Sequence, residues 1–357
     1  MASEIKYGIS RFSNIGGVTC YMNSILAILQ QTPIFTEYIL TAQFKDKLQF
    51  DNPSELTKSI IFQLHNLIKI SHSHDNFKIA PSSFRTAVSS KDSMWGMQHH
   101  QDSQEFLSFL LNSIEEEISQ KVIFVPGRLF GETTYNSPLL NIMANNIWQL
   151  FIKKEYSIIK NLFGGMTIMK TTCQFCSNES HNFDIFQTLQ LSIPSVNKEY
   201  TLDECMDEYI KNETVDYDNR ISCDFCGRKN KSIKKNMIWK SPKILIIQLK
   251  RFKTNDYGII SRKITNMVTY PKELDISKYI DSNSPYKKDC IYNLYAINLH
   301  HSIGMFNTIN SGHYTSIVIN RHNNTWYEFD DDDDLTVVNE EDLVNRNAYM
   351  LFYYRNN

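Results

Sequence analysis

Cys20 stands in the run Asn14-Ile-Gly-Gly-Val-Thr-Cys-Tyr-Met-Asn-Ser24, and far along the chain lies Gly312-His313-Tyr314-Thr315. A thiolate that attacks carbonyl carbon, and an imidazole that takes its proton and passes it to a leaving group, are the working parts of a cysteine hydrolase. Met22, Ile25, Leu26 and Leu29 fall at i, i+3, i+4 and i+7 with Pro33 beyond them, so the spacing predicts a helix that opens at Cys20. Unpaired N–H groups and the positive end of the dipole at a helix N-terminus favour an anion, which suits a nucleophilic thiolate. Asn14 offers side-chain N–H donors for a developing oxyanion, and Gly16 and Gly17 let backbone approach a substrate closely. For a lone cysteine the competing reading is a small buried hydrophobe on a helix.

His313 is the best base among the ten histidines because a glycine precedes it and a strand-like run follows. Asp330 follows the strand-like Trp326-Tyr-Glu-Phe329 and is placed to orient the imidazole if those two strands pair; its neighbour Asp331 is an alternative. A second constellation is Cys173-Gln-Phe-Cys176 and Cys223-Asp-Phe-Cys226, two knuckles separated by residues 177–222. Four thiolates so paired fit tetrahedral Zn²⁺ with no open coordination position, hence a structural metal. The long gap implies that the metal staples the tips of a strand-built projection. Zinc ribbons also occur in nucleic-acid binders, and the basic stretch Arg228-Lys-Asn-Lys-Ser-Ile-Lys-Lys235 keeps that class open.

The chain has 357 residues, 42% of them hydrophobic and 12% aromatic, and so has enough apolar surface for a folded core. A formal net charge of −2 gives no general attraction to nucleic acid or anionic membrane. The N-terminus lacks the apolar core of a signal peptide, and no apolar run approaches the ~18 residues of a membrane span. The expectation is an intracellular protein, cytoplasmic, nuclear or both. Seven cysteines, four of them in C-x-x-C pairs, suit metal better than a secreted disulfide framework.

Gln101-Asp-Ser-Gln-Glu-Phe-Leu107 opens an amphipathic helix whose stripe is Leu107, Leu110, Leu111, Ile114 and Ile118, with Asp102 and Glu105 spaced as a capping box. Residues 146–163 read as one helix ending at Gly164-Gly165. From about residue 242 the character is β, in short runs at Ile244–Phe252, Tyr292–Leu299, His313–Ile319, Trp326–Phe329 and Ala348–Tyr354. The picture is a helical N-terminal part followed by an antiparallel sheet.

In order along the chain, Thr19-Cys20-Tyr21-Met22-Asn23-Ser24, Gln101-Asp102-Ser103-Gln104-Glu105-Phe106, both cysteine knuckles, Leu249-Lys250-Arg251-Phe252, Tyr270-Pro271, Gly312-His313-Tyr314, Phe329-Asp330-Asp331 and Ala348-Tyr349 to Leu351-Phe352-Tyr353 resemble the motifs of the ubiquitin-specific proteases, papain-like cysteine deubiquitinases. The resemblance runs from Gly8 to Arg355. It implies an α+β, papain-like fold with fingers, palm and thumb as one catalytic domain over 8–357: thumb roughly 8–160, zinc-ribbon fingers 165–245, palm 246–357. By the same resemblance Cys20 is the nucleophile, His313 the base and Asp330 the orienting residue. Asn14 is then the oxyanion donor, and Asp331 assists beside the oxyanion or in holding the site. Asp102 matches the family's acidic contact to the arginine-containing tail of ubiquitin, compatibly with capping, and Gln101 and Tyr314 join it as substrate-binding candidates. Implied partners are ubiquitin and ubiquitinated proteins, with no nucleic acid and no membrane. The chain is expected to be a monomer holding one structural zinc on its four knuckle cysteines and no catalytic cofactor.

Two departures qualify the match. The family's asparagine stands five residues before the cysteine, where this chain has Ile15 and places Asn14 six before. The segment 301–312 is longer than the family's usual loop. The alternatives are therefore a catalytically weak ubiquitin-binding scaffold and a protease for another ubiquitin-like modifier.

Overall fold

A computed structural model describes residues 8–48, 53–73, 77–120, 138–153, 156–194, 198–216, 219–254, 260–288, 290–302 and 312–355. Among these, eight α-helices are α1 (Cys20–Leu29), α2 (Phe35–Leu40), α3 (Ile60–Ser73), α4 (Ser82–Lys91), α5 (Ser103–Ile118), α6 (Pro138–Lys153), α7 (Ile158–Phe163) and α8 (Leu202–Tyr209). The apolar run in α1 is buried on every side: all ten residues from Cys20 to Leu29 are inaccessible. A helix in that position is surrounded by other elements instead of lying on a surface. The predicted stripe of α5 faces inward, with Leu107, Leu110, Leu111, Ile114 and Ile118 each at most 1% exposed. Near its end Glu117 accepts from Ser59 Oγ at 2.7 Å and from the backbone N–H of Ile60 and Ile61 at 2.8 and 3.1 Å. That places a carboxylate on the unsatisfied donors at the start of α3 and fixes the two helices together.

The expected single helix over 146–163 is two helices in the structure. It starts earlier, at Pro138, whose ring suits a first helical position. The break comes because Tyr156 leaves the helix to bridge with Gln120, and Ser157 then caps α7 by accepting from Lys160 N at 3.2 Å. The long 301–312 segment lies mostly outside the described residues.

The β runs form the large sheet, in the order Thr336–Val338, Thr325–Phe329, Gly312–Asn320, Ile291–Ser302, Ala348–Tyr354, Ile244–Lys250, Thr188–Ser192, with Glu273–Asp275 on Ile291–Ser302. It is antiparallel except that Thr188–Ser192 runs parallel to Ile244–Lys250. The pairing of Gly312–Asn320 with Thr325–Phe329 brings the turn after Phe329 beside the start of the His313 strand. A separate four-stranded antiparallel sheet, Glu179–Phe186, Gly165–Cys173, Ser232–Lys240 and Glu213–Val215, carries the cysteine knuckles at one end.

Helices and large sheet are tied through a buried amide. Asn298, 0% exposed, accepts from Ser103 Oγ of α5 at 2.8 Å and donates to Ser24 Oγ of α1 at 3.0 Å and to Thr315 O at 3.5 Å. Removing it orphans the buried Ser103 hydroxyl and takes from Ser24, which still donates to Tyr21 O at 3.0 Å, its link to the sheet. Asn298→Ala is expected to cost about 2–4 kcal/mol, read as a lower urea midpoint at unchanged slope.

Candidate active site

Cys20 occupies the first turn of α1, where its backbone N–H has no helical partner. The preceding loop is a tight turn over Ile15–Gly17 in which Gly16 and Gly17 adopt φ of +70° and +72°. These glycines serve backbone conformation: a Cβ on Gly17 would meet nothing, and one on Gly16 only the flexible end of Gln98. At Gly312 a Cβ would collide with the His300 ring.

The turn absorbs the extra residue of the loop. Asn14 Oδ1 accepts from Thr19 N at 2.7 Å, closing the loop across its own base, and Thr19 Oγ1 accepts from Ile15 N at 2.8 Å. Asn14 Nδ2 donates to Asp331 Oδ2 at 2.7 Å. An amide nitrogen has two hydrogens, so one remains for a ligand.

His313 begins the strand Gly312–Asn320, and its Nε2 pairs with Asp330 Oδ1. Cys20 lies near enough to the ring to favour its charged form as well. With Nε2 on the carboxylate, Nδ1 is the ring atom left for the thiol. Asp330 first and Cys20 second push the imidazole up to about 10, against burial. His313 in turn lowers the Asp330 carboxyl. Asp331 sits differently: burial raises it, opposed by Asn23, His313 and Asn14, and its Oδ2 is 4.0 Å from His313 Nε2. The backbone there is left-handed, with φ of +49°, and the Asp331 carbonyl accepts from Phe12 N at 3.1 Å. Residues from three separate segments, the Asn14–Cys20 loop, His313 and the Asp330–Asp331 turn, are thus brought together.

Asp102 caps α5, its Oδ1 accepting from Gln104 N at 2.7 Å and Glu105 N at 3.0 Å. Its Oδ2 accepts from Tyr349 OH at 2.7 Å and Tyr314 OH at 3.5 Å. Asp102 and Tyr314 are 5% and 1% exposed, so the capping role read from the sequence is what the geometry gives, and neither side chain is presented outward. Gln101 beside them is half-buried.

Three neighbours receive no role of their own from the sequence: His300 and His301 lie outside the quoted motifs, and Asn23 lies inside the Thr19–Ser24 motif. His300 packs edge-on to Tyr314 and Phe252 and is pushed down to about 3 by burial and then Lys263, so it stays neutral. His301, opposite His313 in the strand pair, is held by Thr315 Oγ1 at 2.9 Å and Asn347 at 3.2 Å. Asn23 donates to Asp331 Oδ1 at 2.7 Å. Its signals in the sequence are its place in the Thr19–Ser24 motif and an amide one turn beyond Cys20 in a largely apolar run.

At the far end of the four-stranded sheet, ligand atoms of Cys173, Cys176, Cys223 and Cys226 all lie within 4.8 Å of one another. The two knuckles repeat one geometry. Ser177 N donates to Cys173 O at 2.9 Å and Gly227 N to Cys223 O at 2.8 Å, with Ser177 and Gly227 both left-handed. The Cys176–Cys223 sulfur separation is 3.6 Å, against about 3.8 Å for two ligands of a tetrahedral metal with ~2.3 Å bonds. This group of four can hold a metal.

A sequence model described as "Ubiquitin carboxyl-terminal hydrolase" matches residues 10–353. The chain is 30% identical to "Ubiquitin carboxyl-terminal hydrolase Usp2" of Drosophila melanogaster, over 99% of this chain and 35% of that one. It is also 30% identical to "Ubiquitin carboxyl-terminal hydrolase 2" of Homo sapiens, over 99% of this chain and 56% of that one. It therefore spans about a third to a half of the length of these curated relatives. In fold it resembles the SAGA Ubp8/Sgf11/Sus1/Sgf73 DUB module bound to ubiquitin aldehyde, with a TM-score of 0.75 and 24% identity, covering 100% of this chain and 71% of that one. No helix among the described residues is long and apolar enough to cross a membrane.

The His313–Asp330 pair gives a test with a definite sign. A histidine raised in the folded state contributes its full stabilisation below the unfolded value near 6.5 and loses it as pH rises through about 10. NMR titration is expected to place the His313 transition near pH 10 and to move it downward in Asp330→Asn.

Proposed function

Because the chain belongs to the ubiquitin carboxyl-terminal hydrolase family, we propose that it is a thiol-dependent deubiquitinase that cleaves isopeptide or peptide bonds after the C-terminal glycine of ubiquitin. The observation that carries this reading is the meeting of Cys20, His313 and Asp330 with Asn14 beside them. The Cys20 thiolate attacks the glycine carbonyl carbon, and the oxyanion takes a hydrogen bond from Asn14 and the Cys20 backbone N–H. His313 passes its proton to the departing amine as the C–N bond breaks, leaving a thioester on Cys20. Water, deprotonated by His313, then attacks the thioester and releases the free carboxylate with the thiol restored. Asp330 holds the ring in the orientation that directs Nδ1 to sulfur.

The loop closed by Asn14 and Thr19 supports an active enzyme over a scaffold, since the longer spacing is taken up by two left-handed glycines with the amide still beside the site. Asp331 serves as the anchor of Asn14. Asp102 and Tyr314 act by setting the wall of the cleft, and Gln101 is the substrate-facing candidate at that corner. The domain reading is a thumb over roughly 8–160, fingers over 165–245 and a palm over 246–357, working as an intracellular monomer on ubiquitinated proteins.

Ubiquitin carrying an electrophilic C-terminus is expected to form a covalent adduct that Cys20→Ala abolishes. Absence of an adduct on wild-type protein that still binds ubiquitin returns the scaffold reading.

Cys173, Cys176, Cys223 and Cys226 would hold one structural Zn²⁺, whose four thiolates fill its coordination and fasten the two knuckles. Elemental analysis is expected to give about one zinc per chain. Chelation is expected to unfold the four-stranded sheet before Cys20 loses its reactivity to alkylating agents.

A further inference from the structure

We propose that Asn23 is a positioning residue for oxyanion stabilisation, acting through Asp331 on Asn14; the inference rests on the deubiquitinase reading of the site. Asn23 lies one turn after Cys20 in α1 and is 3% exposed. Its Nδ2 donates to Phe12 O at 3.0 Å and to Asp331 Oδ1 at 2.7 Å, which commits both amide hydrogens. The other oxygen of Asp331 accepts from Asn14 Nδ2 at 2.7 Å, and Asn14 Oδ1 accepts from Thr19 N at 2.7 Å. The Asn14 amide is therefore gripped at both ends. Its orientation is fixed by a carboxylate whose own orientation is fixed by Asn23.

Besides the two amides, Asp331 has His313 as a neighbour. His313 Nε2 is 4.0 Å from its Oδ2, within reach of a small side-chain rotation. Asn23 holds one oxygen away from the imidazole and leaves the other on Asn14. It thus keeps two adjacent aspartates on separate tasks, Asp330 with the base and Asp331 with the oxyanion donor. Asn23 touches none of the reacting atoms, so its loss is expected to affect the chemical step more than substrate capture.

The test is steady-state hydrolysis of ubiquitin bearing a fluorogenic C-terminal amide by wild type, Asn23→Ala, Asn14→Ala and the double variant. Asn14→Ala is expected to lose about 10²–10³ in kcat as a direct oxyanion donor. Asn23→Ala is expected to lose about tenfold in kcat with KM within about twofold, and less than twofold further when added to Asn14→Ala. Asn23→Leu, of similar volume and without a donor, repeats the measurement if the alanine variant is poorly folded. Alkylation of Cys20 by iodoacetamide builds no oxyanion and is expected to be unchanged in whichever Asn23 variant is folded. Equal losses in both backgrounds, alkylation slowed in step with turnover, or unfolding of both Asn23 variants overturns the proposal and leaves Asn23 a packing residue. A wild-type protein that alkylates but does not hydrolyse the ubiquitin amide overturns the deubiquitinase reading and this inference with it.

Discussion

The helix that begins at Cys20 is buried on every face, and most of the site follows from that burial. A buried helix can carry few polar side chains, and each must find its partner in the surrounding protein. Ser24 finds Asn298 of the large sheet. Asn23 finds a carbonyl of the N-terminal strand and a carboxylate of the turn after Phe329. Pairing one hydroxyl and one amide nitrogen of a single helix with these distant groups ties the helix to the sheet and its turns. The thiol at the helix start inherits its surroundings from those demands.

The Asp330–Asp331 pair shows how one local backbone choice separates two roles. The left-handed conformation at Asp331 sends consecutive carboxylates in different directions. One is 45% exposed and paired with His313; the other is 10% exposed and faces two amides. Their titration is displaced in opposite directions, downward for Asp330 by the imidazole and upward for Asp331 by burial. Environments that push like groups apart are how a site assigns different tasks to identical side chains.

Much of this is legible in the residues where the physics is local. The 3.6-residue period of α1 and α5 and the β-branched runs after residue 242 report short-range preferences that the packed protein keeps. Asp102 is readable as a cap because its partners lie two and three residues away. What the residues do not declare depends on distant partners. The break before Ser157 depends on Tyr156 meeting Gln120, and the parallel pairing of Thr188–Ser192 depends on a strand much later in the chain. Gly16 and Gly17 stand out in the sequence as special, and both adopt positive φ. Asn23 stands in a recognisable motif, but an asparagine within an apolar helix declares a buried partner without saying which one.

The placement of Ala348–Tyr354 between Ile291–Ser302 and Ile244–Lys250 bears on the protein's birth. A chain emerging from the ribosome displays Cys20 long before the strand that completes the middle of the sheet is made. Until that strand inserts, the histidine strand and its partners Ile291–Ser302 and Thr325–Phe329 are not joined to Ile244–Lys250 and Thr188–Ser192. Such an order leaves the two flanks of the large sheet unjoined until one of its last strands is made, so the platform behind Cys20 and His313 is completed late.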